Sequence, residues 1–225
     1  AWTKLIDKLL ASPNYGERWA RYWLDLVRFA ETDGYERDKL KENIWRYRDW
    51  VIAALNNDMP YTQFVREQLA GDEIPNRTEQ SLIATGLIRA GTWNDEPNDP
   101  ADYLYTRLED MVHTTTSAFI GLTVKCARCH DHKFDPILQS DYYRIASFFW
   151  AGPIGQENQG GPSKELLGSN VYGWTDLNAN PKPIRLLHQG ERHKPGPEIT
   201  PGFLSAIPCL LYTSDAADEG LGVDL

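Results

Sequence analysis

Sulfur and positive charge are both scarce in this sequence. Of 225 residues three are cysteines (Cys126, Cys129 and Cys209) and two are methionines. So small and odd a number of cysteines does not build a disulfide framework. Lysines and arginines number 23 against 32 aspartates and glutamates, a net charge of -9. No run of bases forms a surface able to displace counterions from phosphates, which excludes nucleic acid as a partner. No uninterrupted apolar run approaches the roughly 20 residues that cross a bilayer. No Ser-His-Asp arrangement, phosphate loop, zinc-protease helix or internal repeat occurs. Neither an initiator Met nor a signal peptide stands at Ala1, so the sequence is expected to be a piece of a longer chain.

What is present is the balance of a soluble globular protein, 41% hydrophobic and 24% charged, long enough for one substantial core or two small ones. The expected fold class is mainly α. From Trp2 to about Trp150 apolar residues recur at helical spacing between good stop signals. Helices are expected over Trp2 to Ala11 and over Tyr15 to Glu31, the second with Trp19, Trp23, Leu26, Val27 and Ala30 on one face. Asn43 is expected to cap a third helix that carries Ile44, Tyr47, Val51 and Leu55 inward. Thr62 and Thr78 open the next two, with Gly71 and Gly91 at their ends. A polar loop from Asn94 to Pro100 precedes a helix from about Ala101 to Ile120, and Ser140 caps a last one with Tyr143, Ile145, Phe148 and Phe149. Residues 1–150 therefore read as an irregular multi-helix domain, and residues 151–182 as a linker or irregular excursion rich in Gly and Pro. A loop-rich segment with short strands follows over 183–208, with Pro183 to His188 as a candidate strand and Gly190 to Gly202 as a Pro/Gly-rich run.

The chemistry concentrates in Cys126-Ala127-Arg128-Cys129-His130, a C-x-x-C-H motif and the attachment signature of c-type haem. Two thiols about one turn apart can add to the two porphyrin vinyl groups, and the adjacent imidazole of His130 then serves as proximal iron ligand. Two other readings stand beside it: a buried cysteine pair next to a satisfied histidine, and a zinc knuckle on Cys126, Cys129 and His132 that lacks the usual second ligand pair. A thioredoxin-like redox pair is weaker, because no βαβ pattern surrounds it.

His132 follows His130 too closely to reach the opposite face of the same iron. Candidate second ligands are Met111 and His113, then Met59, His188 and His193. With none of them bound, the iron would be open to a small ligand such as peroxide, so electron carrier and open-site enzyme both remain. Trp19, Tyr22, Trp23, Trp45 and Trp50 suit the apolar wall of a haem pocket and equally suit ordinary helix packing. Arg46, Arg48 and Asp49 read as ion pairs on a solvated face.

Several stretches resemble a planctomycete cytochrome-c-like family of uncharacterised domains. They are Leu10-Ala11-Ser12-Pro13-Asn14-Tyr15-Gly16-Glu17-Arg18-Trp19, Trp45-Arg46-Tyr47-Arg48-Asp49-Trp50, Asp58-Met59-Pro60-Tyr61, Gln68-Leu69-Ala70-Gly71-Asp72, and Gly121-Leu122-Thr123 running through the cysteine motif to Asp131-His132-Lys133-Phe134-Asp135-Pro136. The resemblance extends to about Trp150. It implies covalent haem c, with Cys126 and Cys129 as attachment points and His130 as proximal ligand. It also implies a large exported, periplasmic protein in which a smaller cytochrome-like domain precedes this one and a second uncharacterised domain follows. The segment from Pro183 looks like the opening of that second domain. The resemblance implies no known reaction; the haem motif leads us to expect electron transfer or redox chemistry with a redox partner protein, and the setting in which the family occurs suggests a polysaccharide-related substrate. The alternative is a structural or binding module whose Cys/His cluster holds zinc or no metal.

Residues 209–225, beginning Cys209-Leu210-Leu211-Tyr212-Thr213-Ser214-Asp215, resemble the translation of a transposase mosaic-end adapter from sequencing libraries. The natural sequence is expected to stop near Pro208, against the alternative of an ordinary acidic tail. Without the four acids Asp215, Asp218, Glu219 and Asp224 the net charge moves from -9 to -5. Both remaining cysteines then lie inside the motif.

Overall fold

The computed structural model describes residues 2–154, 171–178 and 180–207. The 209–225 tail, and the Gly/Pro clusters at 160–162 and 168–170, lie outside the described residues. The chain divides into two compact units, residues 1–100 with 155–177, and residues 101–154 with 178–225. Both are mainly α, and the second carries a small two-stranded sheet.

The first unit contains α1 (Trp2–Leu10), α2 (Asn14–Leu26), α3 (Trp45–Asn56), α4 (Tyr61–Ala70), α5 (Glu79–Ala84) and α6 (Gly86–Arg89). None of the residues of α1 is buried. Helix α2 lies close against α3 because Gly16 has no side chain: a Cβ there would stand 2.5 Å from the Ile52 carbonyl oxygen. The Gly16 N–H donates to Asn56 Oδ1 at 2.8 Å, and Asn56 Nδ2 donates back to the Pro13 carbonyl at 3.0 Å. A buried polar knot ties α2, α3 and α4. Gln68, fully buried, accepts at Oε1 from Tyr47 OH at 2.6 Å and Trp23 Nε1 at 3.0 Å, and its amide donates to the Phe64 carbonyl at 2.9 Å. Burial pushes the Tyr47 hydroxyl well above the usual tyrosine range, so it stays a neutral donor.

Thr78 opens α5 as expected, in a capping box in which its hydroxyl accepts from the Ser81 N–H at 3.1 Å and Ser81 Oγ accepts from the Thr78 N–H at 3.0 Å. Asn43 does not cap α3. Its φ of 68° puts it in the left-handed region, which asparagine tolerates, and the chain turns there before the helix begins at Trp45. Helix α2 also differs from expectation. Its buried line runs through Gly16, Ala20 and on to Val27, whereas Trp19 and Leu26 face outward. The close approach to α3 admits only small residues on the inner line, which displaces the large rings to the flank.

The second unit begins with α7 (Pro100–Ile120), whose proline occupies the first turn, where no amide hydrogen bond is lost. Leu108, Met111 and Val112 face its core, and Gly121 at φ 68° ends the helix. A 3₁₀ turn over Val124–Arg128 leads into a loop and then α8 (Gln139–Ala146), which buries Tyr142, Tyr143 and Ile145. Ser140 lies inside α8 rather than at its cap. Asp141, fully buried, performs that task by accepting from the Leu138 N–H at 3.0 Å. Strand β1 (Ile184–Leu187) matches the strand expected from Pro183 to His188. It pairs antiparallel with β2 (Pro195–Ile199), which lies in the run read as loop. Two prolines mask that strand in the sequence, but a two-stranded ribbon is all edge, where proline is tolerated. Arg185 and Glu198 form an ion pair across it.

The Asp176 carboxyl, in the first unit, is pushed up to about 6 by burial and by the charges of Glu73 and Asp72. The folded chain therefore holds this proton more tightly than the unfolded chain does. The stability it contributes is present below the ordinary value of 3.8 and is lost as pH rises through about 6. Asp176→Asn should stabilise the chain at about pH 7.5, by about 1 kcal/mol once solvent screening is allowed for at a carboxyl that is only partly shielded from water, and give no gain near about pH 3. Urea unfolding at the two pH values checks this; equal gains at both would show that charge is not the cause.

Candidate functional site

The cysteine motif is built on the 3₁₀ turn over Val124–Arg128. Three residues complete one turn of such a helix, so side chains at i and i+3 stand in line. Val124 and Ala127 form the inward line and are buried. Cys126 and Cys129 form an outward line, and both are exposed, unpaired thiols. The two sulfurs therefore leave the same side of a short, anchored turn.

Arg128, on the third line, anchors it. Its guanidinium donates to Glu109 on α7 and to the Gly190 carbonyl at 3.4 Å. Its own carbonyl accepts from Gln139 Nε2 at 2.9 Å and Tyr143 OH at 3.1 Å, both on α8. The same amide and hydroxyl also reach the Leu187 carbonyl at the end of β1. Burial above all pushes the Tyr143 hydroxyl up to about 12, which keeps it a donor. Gly190, at φ 72°, lies directly under Cys129, and a Cβ there would stand 2.7 Å from Sγ. Only glycine meets both conditions.

His130 is exposed, and its Nδ1 lies 2.7 Å from the Asp131 carbonyl oxygen. A carbonyl only accepts, so Nδ1 carries the proton and Nε2 is left with its lone pair. His132 is folded into its own loop. Its Nδ1 accepts from the Asp135 N–H at 2.9 Å and the Phe134 N–H at 3.3 Å, and the His132 main-chain N–H donates to the Ile137 carbonyl at 2.8 Å. The Asp131 carboxylate accepts from the Gln139 N–H at 2.7 Å, at the first residue of α8. Among the described residues no three His, Cys, Asp or Glu side chains stand together so as to hold a metal ion. Cys126, Cys129 and His132 are thus not assembled as a zinc knuckle. A haem needs less from the chain, namely two thiols and one imidazole with a free nitrogen, and that donor set is present.

A family model described as PSCyt2, protein of unknown function (DUF1549), matches residues 1–152. The chain belongs to this family. The matched residues span every stretch that carried the resemblance and positions 126–130. Gly190 and Leu187, which pack on the motif or bind its supporting side chains, lie beyond the PSCyt2 region. No curated protein and no solved structure matches the chain.

The other candidate residues are dispersed. Met111 is buried in the core of the second unit, 1% exposed. His113, two residues on, is half-buried, with Nδ1 3.0 Å from Ser117 Oγ. His188 and His193 are exposed on the turn of the β1–β2 ribbon. Met59 belongs to the first unit, where with Trp19, Tyr22 and Trp23 it lines an aromatic cleft that contains no motif residue. Trp50 is core and Trp45 half-exposed on α3. No helix among the described residues is long and apolar enough to cross a membrane.

Sequence reasoning missed Arg128, Asp131, Gln139 and Tyr143 as parts of the site. Arg128 occupies an x position of C-x-x-C-H, and the other three read as ordinary helix and loop residues. Replacing Gln139 by Leu leaves two buried carbonyls with one donor fewer and should cost about 2 kcal/mol. Urea unfolding should show that loss together with faster reaction of Cys126 and Cys129 with a disulfide reagent. Unchanged stability and thiol rates would mean that the amide does not hold the turn.

Proposed function

We propose that this chain carries a covalently attached c-type haem and works in electron transfer or redox chemistry outside the cytoplasm. The observation that supports the reading is the 3₁₀ turn, which directs two free thiols to one side and is followed at once by an imidazole with its Nε2 lone pair available. When bound, the haem supplies one-electron exchange at its iron.

The chain's own residues have distinct tasks. Cys126 and Cys129 hold the group through their sulfurs. His130 offers Nε2 to the iron, and the Asp131 carbonyl fixes the tautomer and orientation of the ring through Nδ1–H. Arg128, Gln139 and Tyr143 keep the turn from unwinding, so the spacing of the thiols does not depend on the cofactor. His113 is the second ligand to test first, because Met111 points from α7 into the core and is buried there, whereas His113 is half-buried. Under this reading the chain is made as part of an exported protein, meets its haem in the periplasm and exchanges electrons with a redox partner protein. The segment from Pro183 then opens a further domain, and the polysaccharide-related context is a matter for the complete protein.

Expression with a cytochrome c maturation system, followed by pyridine haemochrome spectra, tests attachment. The wild-type chain should give the spectrum of haem linked through two thioethers, and Cys126→Ala or Cys129→Ala that of a single link. Protein that folds but retains no haem after denaturation overturns the reading. In the loaded protein, His113→Ala should shift the Soret band while Met111→Leu leaves it in place; the reverse pattern assigns the ligand to Met111.

A further inference from the structure

A second site lies in the first unit, on the flank of α2. It is an open cleft of about 420 Å³ between α2, the end of α3 and the start of α4. Six of its eleven lining residues are aromatic, none is basic, and one, Asp58, is acidic. Trp19, Tyr22 and Tyr61 are each more than half exposed, at 51%, 53% and 59%. Trp23 is held in the wall, its Nε1–H donating to Gln68 and Tyr47. The faces of such rings carry negative partial charge, which attracts a cation that packs on them.

Asp58 makes the cleft more than an apolar groove. It sits at φ 50°, just past the end of α3. Among the described residues its carboxylate receives no hydrogen bond and forms no ion pair. A carboxylate that lines the same cleft as six aromatic residues, with no lining cation to balance it, is complementary to one chemical class. A hydrated metal ion would gain little from the rings, and an anion would be repelled. An organic ammonium ion whose charge is spread over methyl groups satisfies both the rings and the carboxylate. The neighbourhood already contains such a contact, since the Arg18 guanidinium lies 5.4 Å from the Tyr22 ring centroid.

The geometry points to a binding site for a small methylated ammonium group in this cleft, with Trp19, Tyr22 and Tyr61 as the aromatic wall and Asp58 as counter-ion. The site is independent of the cysteine motif and of the haem reading. Arg18 lies over the Tyr22 ring without lining the cleft, and its like charge opposes a cationic ligand, so removing that charge strengthens binding.

The test uses the full 225-residue chain and tryptophan fluorescence, with choline chloride as probe, sodium chloride at matched ionic strength as control, and the uncharged isostere 3,3-dimethylbutan-1-ol as comparison. Choline should quench saturably and the isostere should bind about tenfold more weakly. Asp58→Asn keeps a residue that accepts the left-handed backbone; it should weaken choline about fivefold and leave the isostere unchanged. Arg18→Gln should tighten choline about twofold, a change that a neutral ligand would not show. Isostere binding equal to choline, or no saturable choline quench, overturns the proposal. Sedimentation with vesicles distinguishes the source of the group. Pelleting with phosphatidylcholine but not phosphatidylglycerol assigns a lipid headgroup, and no pelleting assigns a free ion.

Discussion

The second unit is organised around Arg128. Its guanidinium reaches Glu109 on α7 and the Gly190 carbonyl in the turn after β1, while its main-chain carbonyl receives two donors from α8. Three pieces of chain otherwise distant in sequence converge on one residue. A partly buried guanidinium is tolerable only when paired and hydrogen-bonded, and here the charge partner and the carbonyl belong to different elements. That requirement fixes where α7, α8 and the ribbon stand relative to the turn. The same residue is the second variable position of C-x-x-C-H, so the node that assembles the unit also sets the geometry of the motif.

The exposure of the two thiols follows from this arrangement. On a 3₁₀ turn three lines of side chains exist, and two are committed: Val124 and Ala127 to the core, Arg128 to its ionic and carbonyl partners. Cys126 and Cys129 take the line that is left. Gly190 sharpens the effect, because its backbone closes against Cys129 Sγ from one side and leaves the other side open. Local rigidity and chemical accessibility are two consequences of one packing arrangement, which is what an attachment site requires before any cofactor is present.

Much of the helical framework was legible in the sequence because it rests on local signals. The Thr78 opening of α5 and the span of α7 to Ile120 are written within a few residues of the places they act. The candidate site was legible as a motif, since its thiols and imidazole are contiguous. Its supports were not, because their partners lie far along the chain: Arg128 with Glu109 and Gly190, Gln139 with Leu187, Asp141 with Ser205. Asn43 and Ser140 misled for a related reason. Each is a residue type that favours caps, but Asn43 is used for its tolerance of positive φ, and the duty at α8 falls to Asp141, which is fully buried and bonded to Ser205. Composition cannot separate such uses.

The same distinction explains the faces of α2. Read by periodicity, Trp19, Trp23 and Leu26 belong to the core, because large apolar residues at helical spacing normally do. What decides is the distance to α3, and that is set by Gly16 and Asn56 through a contact with no room for a single carbon. Once the helix axes are this close, the inner line can accept only Gly16, Ala20 and Val27, and the rings must leave it. Trp23 stays at the boundary because its indole N–H has a buried partner in Gln68. Trp19 and Tyr22 have no such partner among the described residues and stand outside, in contact with each other at 5.6 Å between centroids. An aromatic wall open to solvent is thus the geometric consequence of a tight helix pair, and the carboxylate of Asp58 at its edge gives that wall a sign.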